Sequence, residues 1–120
     1  MPTTLSLIVL RSANVAACLT FYGALDIAFV QEQHDSGPLH HAAQMGGVVL
    51  EIYPAPTAAL LDPNSGGATM LGVRVASLDE TLTRLRKLKV EPKTAPKEAS
   101  WGHWANVADP DGRVVQLVQS

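Results

Sequence analysis

The sequence is short of reactive and targeting features, and each shortage removes a class of function. It has one cysteine, Cys18, so it can form no internal disulfide and no Cys-x-x-Cys pair for zinc. Cys18 falls in an apolar helical stretch, where a thiol reads as a small buried hydrophobe rather than a nucleophile. Charge is also scarce: 17% of residues are charged and the net charge is −2. The basic run Arg84-Leu85-Arg86-Lys87-Leu88-Lys89 alternates with leucines and reads as the wet face of a helix, so no nucleic-acid partner is expected. Long hydrophobic runs are missing as well. The opening MPTTLSLIVLRSAN lacks a basic n-region, and its apolar run, Leu7 to Leu10 plus Leu5, is too short for a signal peptide or a membrane span. The expected location is cytoplasmic, with no membrane partner.

What remains is a chain of 120 residues, 47% apolar. That length predicts one compact unit whose core is small enough for a second copy to help, so a homodimer is expected. Sliding the chain by 63 residues aligns its halves: Arg11 meets Arg74, Ala13 meets Ala76, Leu19-Thr20 meets Leu82-Thr83, and Leu25 meets Leu88. Towards the end of each half the offset grows to 65, laying GGVVLEIY (46–53) over DGRVVQLV (111–118) and Glu51 over Gln116.

Each half predicts the same order of elements. LSLIVLR (5–11) reads as a strand, and Asn14 caps a helix that carries Val15, Cys18, Leu19 and Tyr22. Three strands follow, from Ile27 to Gln33, Leu39 to Met45 and Val48 to Tyr53, with Gly46-Gly47 as a two-residue hairpin. In the second half Met70 to Val75 is the strand, Ser77 to Glu80 has the form of a capping box, and Leu78, Leu82, Leu85 and Leu88 make one apolar stripe. A short strand from Val90 is ended by Pro92 and Pro96. Gly102 to Ala108 and Arg113 to Gln119 form a hairpin around Asp109-Pro110-Asp111-Gly112. The first module is expected over residues 1–54 and the second over 70–120, with PAPTAALLDPNSGGAT (54–69) as linker.

If each sheet buries one face under its helix, alternation assigns the other face. Leu5, Leu7, Val9, Val49, Glu51 and Tyr53 share it in the first half, and Met70, Gly72, Arg74, Val114, Gln116 and Val118 in the second. Hairpin register sets His40 opposite Tyr53 and His103 opposite Val118, making the two histidines equivalents under the repeat. Parity then puts Trp104 in the core under the helix.

Paired βαβββ modules, Phe21-Tyr22 in the first helix and WGHWANVADPDGRVVQL (101–117) together resemble the vicinal oxygen chelate superfamily of glyoxalases, bleomycin-resistance proteins and extradiol dioxygenases. The resemblance implies an α+β fold: a U-shaped, half-open mixed sheet with helices on its convex face, completed by a dimer. In the family's enzymes four positions hold a divalent metal, and here the resemblance places them at Leu7, Glu51, Met70 and Gln116. Leucine offers no donor and methionine only a soft thioether, so no metal is expected at that set. The alternative is a rebuilt set of His40, Glu51 and His103 serving a lyase, isomerase or dioxygenase.

A metal-free hollow suits a small molecule. Leu7, Val9, Val49 and Met70 would supply apolar surface, Trp101 and Tyr53 flat rings, and Glu51, Gln116, His40 and His103 polar groups. Arg11 and Arg74 would clamp an anion or pair with nearby acids. A plain packing role, with Leu7 and Met70 in a dimer core, is the other reading of the same residues. Residues 1–66 carry five acids and one base, which favours a cationic ligand. Sequestration of a hydrophobic or aromatic drug or toxin is thus the expected activity, with a metal-free enzyme using Glu51 or His103 as general base as a further alternative.

Overall fold

The structure, a computed structural model, describes residues 2–55 and 69–120. The chain divides into two compact units, Met1–Leu60 and Leu61–Ser120. Most of the expected linker, 54–69, lies outside the described residues.

Unit one runs β1 (Leu7–Ser12), α1 (Val15–Ala24), β2 (Val30–Glu32), β3 (His40–Met45) and β4 (Val48–Pro54). Its sheet has the order β1-β4-β3-β2, with β1 parallel to β4 and the other pairs antiparallel. Unit two repeats this as β5 (Leu71–Arg74), α2 (Leu78–Lys87), β6 (Lys97–Ala99), β7 (Gly102–Ala108) and β8 (Val114–Gln119), in the order β5-β8-β7-β6. Two mixed four-stranded sheets, each with one helix, are the βαβββ modules expected from the repeat.

The helices begin where their caps dictate. Asn14 accepts a hydrogen bond from the Ala17 amide at 3.1 Å, and Ser77 one from the Glu80 amide at 3.2 Å, each satisfying a donor that the first turn leaves open. Helix α1 buries Cys18, Phe21 and Tyr22, while Val15 and Leu19 lie only half-buried at its margins. Beneath it are Leu10, Ala43, Leu50 and Ile52. In unit two Leu78, Leu82 and Leu85 cover Ala105, Val107, Val115 and Leu117. Leu88, expected in that stripe, is instead the C-cap and is exposed.

Unit two departs from expectation in its edge strand. No strand forms at Val90, because Lys89 takes φ 63° and turns the Val90 amide back onto the Leu85 carbonyl. Pro92 and Pro96 lack ladder donors, so strand pairing begins only at Lys97.

The two hairpins also differ. Gly46, at φ 64°, supplies the first central residue of the two-residue turn between β3 and β4. Between β7 and β8 the Asp109 amide donates to the Arg113 carbonyl at 2.9 Å, leaving three residues in the loop, with Gly112 at φ 92° as the bulge. The register is therefore Trp104 opposite Val118 and His103 opposite Gln119, one residue away from the expected pairing.

The buried Asp109 carboxylate organises this turn. It accepts from the Asp111 amide at 2.9 Å, the Arg113 amide at 3.0 Å and the Arg113 guanidinium at 3.0 Å. Asp109→Ala is expected to remove about 2–4 kcal/mol of stability, with Asp109→Asn losing less because it retains an acceptor. Urea unfolding followed by circular dichroism measures both.

Candidate functional site

The face of each sheet away from its helix presents side chains in rows, because residues paired across strands point the same way. In unit one the first row is Arg11, Tyr53, His40 and Glu32, contributed in turn by β1, β4, β3 and β2. His40 falls opposite Tyr53 when the His41–Ile52 register is carried one pair further, and the rings stack at 4.3 Å with 8° between planes. The next row is Val9, Glu51, Ala42 and Val30, and the third holds Leu7, Val49 and Gln44. Leu7, Val9, Val49, Glu51, Tyr53 and His40 thus share one face, as alternation predicts. An open hollow of about 380 Å³ lies on it, lined by Val30, Glu32, Ala42, Gln44, Val49 and Glu51.

His40 is the most constrained group on this face, with 2% of its side chain exposed. Its Nδ1 faces the Pro38 carbonyl at 3.2 Å, and its Nε2 lies 3.4 Å from Glu32 Oε1 and 3.4 Å from Glu51 Oε2. Neither carboxylate contact has hydrogen-bond geometry, so Nε2 is a buried nitrogen without a hydrogen-bond partner among the described residues. His34 adds its Nε2 at 3.6 Å from Glu32 Oε1. Arg11 crosses the Tyr53 ring at 5.8 Å, which gives it a cation–π role on this face.

In unit two the corresponding row is Arg74, Val118, Trp104 and Lys97, followed by Gly72, Gln116 and Asn106. The expectation for His103 and Trp104 is therefore corrected. Trp104 is on the open face, and His103 is on the helix side beside Gln119, whose Oε1 accepts from the Leu78 amide. His103 instead lies 3.6 Å from Glu98, and its open-face role is withdrawn. Asp109 pairs with Arg113, so the loop is one residue shorter than the expected Asp109-Pro110-Asp111-Gly112, and a one-residue slip reverses every side chain on a strand. Ala42 pairs with Glu51 and Asn106 with Gln116, so the counterpart of His40 is Trp104.

Trp101 is half-exposed and stacks on Trp104 at 5.6 Å with 28° between planes, while Lys97 Nζ sits 6.0 Å from the Trp104 ring. Met70 is exposed just before β5. Asn106 Oδ1 is a buried acceptor with no hydrogen-bond partner among the described residues. Sequence reasoning missed Glu32, His34, Asn106 and Lys97. Alternation along the expected Ile27-to-Gln33 strand could have indicated Glu32. His34 lies beyond the strand's end, where no periodicity applies.

The chain belongs to the Glyoxalase/Bleomycin resistance protein/Dioxygenase superfamily, whose family model matches residues 4–117. No curated protein matches it. Among solved structures it is similar to the bleomycin resistance determinant encoded on transposon Tn5, at 25% identity and TM-score 0.65, covering 98% of both chains. A bleomycin-binding protein complexed with bleomycin matches at 24% identity and TM-score 0.63, covering 99% of each. TnmS3, an antibiotic-binding protein from Streptomyces sp. CB03234, matches at 20% identity and TM-score 0.72, covering 98% of this chain and 96% of that one.

The metal of the superfamily's enzymes does not fit the residues present. Of the four expected positions, Leu7 has no donor and Met70 only a thioether. The true strand neighbours do no better: Val9 pairs with Glu51, and Gly72 with Gln116.

The two tryptophans differ in exposure, Trp101 being half-exposed and Trp104 less so. Acrylamide is expected to quench the Trp104→Phe protein, which retains Trp101, more strongly than the Trp101→Phe protein. Equal quenching would contradict the exposure of Trp101 over Trp104.

Proposed function

We propose that the protein binds and sequesters a small hydrophobic or aromatic molecule on the open faces of its sheets, without the metal used at the superfamily's four enzyme positions. The observation that carries this reading is Trp101: a half-exposed indole stacked on a second indole, on a sheet face where the buried Asn106 Oδ1 has no hydrogen-bond partner among the described residues. A planar ligand stacking there gains favourable aromatic contact, and a donor on it would satisfy the amide oxygen. Neighbours named for bleomycin binding and antibiotic binding support this class of ligand. Sequestration requires complementary surface alone, so donorless residues such as Leu7 and Val9 suit it as they would not suit Lewis-acid catalysis. Unit one adds Glu51 beside its hollow, which favours a cationic group.

The same reading includes a cytoplasmic homodimer. Leu5, Leu7 and Val9 are exposed on one edge strand and its approach, apolar surface that a second copy would cover.

A planar aromatic cation such as proflavine is expected to quench tryptophan emission saturably and to be recovered unchanged. Trp101→Ala should weaken binding by about two- to tenfold, the equivalent of about 0.5–1.5 kcal/mol of stacking. Absence of saturable quenching across a panel of cationic and neutral planar compounds would sink the proposal. Light scattering is expected to give twice the chain mass, falling to one chain mass for Leu7→Asp.

A further inference from the structure

The geometry points to a divalent transition-metal site within unit one, with Glu32, His34, His40 and Glu51 as ligands. It uses only Glu51 from the superfamily's four positions, and it does not depend on the small-molecule reading.

Three observations converge on it. The first is spacing. The donor atoms of Glu32, His34 and His40 all lie within 4.8 Å of one another. The closest separations are 3.4 Å, 3.4 Å and 3.6 Å, for His40–Glu32, His40–Glu51 and His34–Glu32. Tetrahedral ligands at about 2.0–2.2 Å from zinc stand about 3.3–3.6 Å apart, so these three separations match edges of such a shell, while Glu51, outside the group within 4.8 Å, completes it from its position beside His40.

The second is the state of His40. Its Nδ1 faces the Pro38 carbonyl, which fixes that nitrogen as the donor and leaves Nε2 with its lone pair directed at the carboxylates. A buried lone pair facing two carboxylates, with no hydrogen bond, is unfavourable unless a cation sits between them. Tyr53 holds the ring from one face, so the nitrogen is pre-aimed.

The third is access. Glu32 and Glu51 both line the open hollow, and His34 is largely solvent-exposed beside Glu32, so an ion can enter and the shell can close. Two imidazoles and two carboxylates suit Zn(II), Co(II) or Ni(II); magnesium and calcium favour all-oxygen shells, and Cu(I) favours sulfur. Trp104 and Lys97 occupy the equivalent places in unit two, so the described residues of unit two hold no copy of this site.

The test uses the full chain, freed of any affinity tag and stripped with chelator. Zn(II) titrated by calorimetry is expected to bind at one ion per chain, and Co(II) to give the intense visible bands of tetrahedral coordination. Glu32→Gln and His34→Ala change exposed or half-exposed side chains and should leave the urea midpoint of the apoprotein unchanged. Each should weaken Zn(II) binding by at least about tenfold, the minimum cost of losing an outer-shell partner. His103→Ala should bind Zn(II) as the wild type does. Absence of stoichiometric binding would overturn the site. Stoichiometric binding unaffected by both Glu32→Gln and His34→Ala would also overturn it, by placing the ion elsewhere. The proflavine titration is run on the chelator-stripped protein, so either reading can fail without the other.

Discussion

The burial of one helix against one face of each sheet is the constraint on which everything else depends. Phe21 and Tyr22 meet edge to face at 4.9 Å and seal α1 over Leu10, Leu50 and Ile52. Leu78, Leu82 and Leu85 do the same over Val107, Val115 and Leu117. Each buried aliphatic or aromatic side chain contributes about 1.5–3 kcal/mol, so a strand cannot turn over without losing several such terms. Once that face is fixed, alternation leaves no choice about which residues occupy the other.

The repeat then supplies two copies of one surface frame with different chemistry on each. Both rows begin with arginine, Arg11 and Arg74, on the first strand. Unit one continues through Tyr53 and His40 to Glu32, a polar and acidic row. Unit two continues through Val118 and Trp104 to Lys97, an aromatic and basic one. Part of the charge difference between the halves is expressed at matched positions, Glu32 against Lys97 and Glu51 against Gln116. Unit two presents flat aromatic surface at Trp101 and Trp104, and unit one a His–carboxylate cluster at His40, Glu32 and Glu51.

His40 illustrates how pairing turns ordinary residues into a site. None of Glu32, His40 and Glu51 is unusual in sequence, and they come from three strands separated by loops of different length. The ladder brings Glu32 and His40 to one level and Glu51 to the next, and the Tyr53 ring and the Pro38 carbonyl orient the imidazole. His34 joins from outside the ladder, held near Glu32 by the loop that follows β2.

Sequence alone determined the local and periodic features: the βαβββ order in each half, both helix caps, the helix-facing leucines, and the shared face of Leu7, Val9, Val49, Glu51 and Tyr53. These depend on residue type and spacing within one element, which periodicity records directly. The 63- and 65-residue offsets were legible for the same reason, and with them the pairing of Glu51 with Gln116 as counterparts. Tertiary structure decided what depends on how elements meet. A three-residue turn in place of the expected four-residue one exchanged His103 and Trp104, because a ladder registers every loop residue and composition does not show which of them is looped out. The approach of Glu32 and His34 to His40 was likewise settled only by an edge strand's pairing and the loop beyond it, where no sequence period reaches.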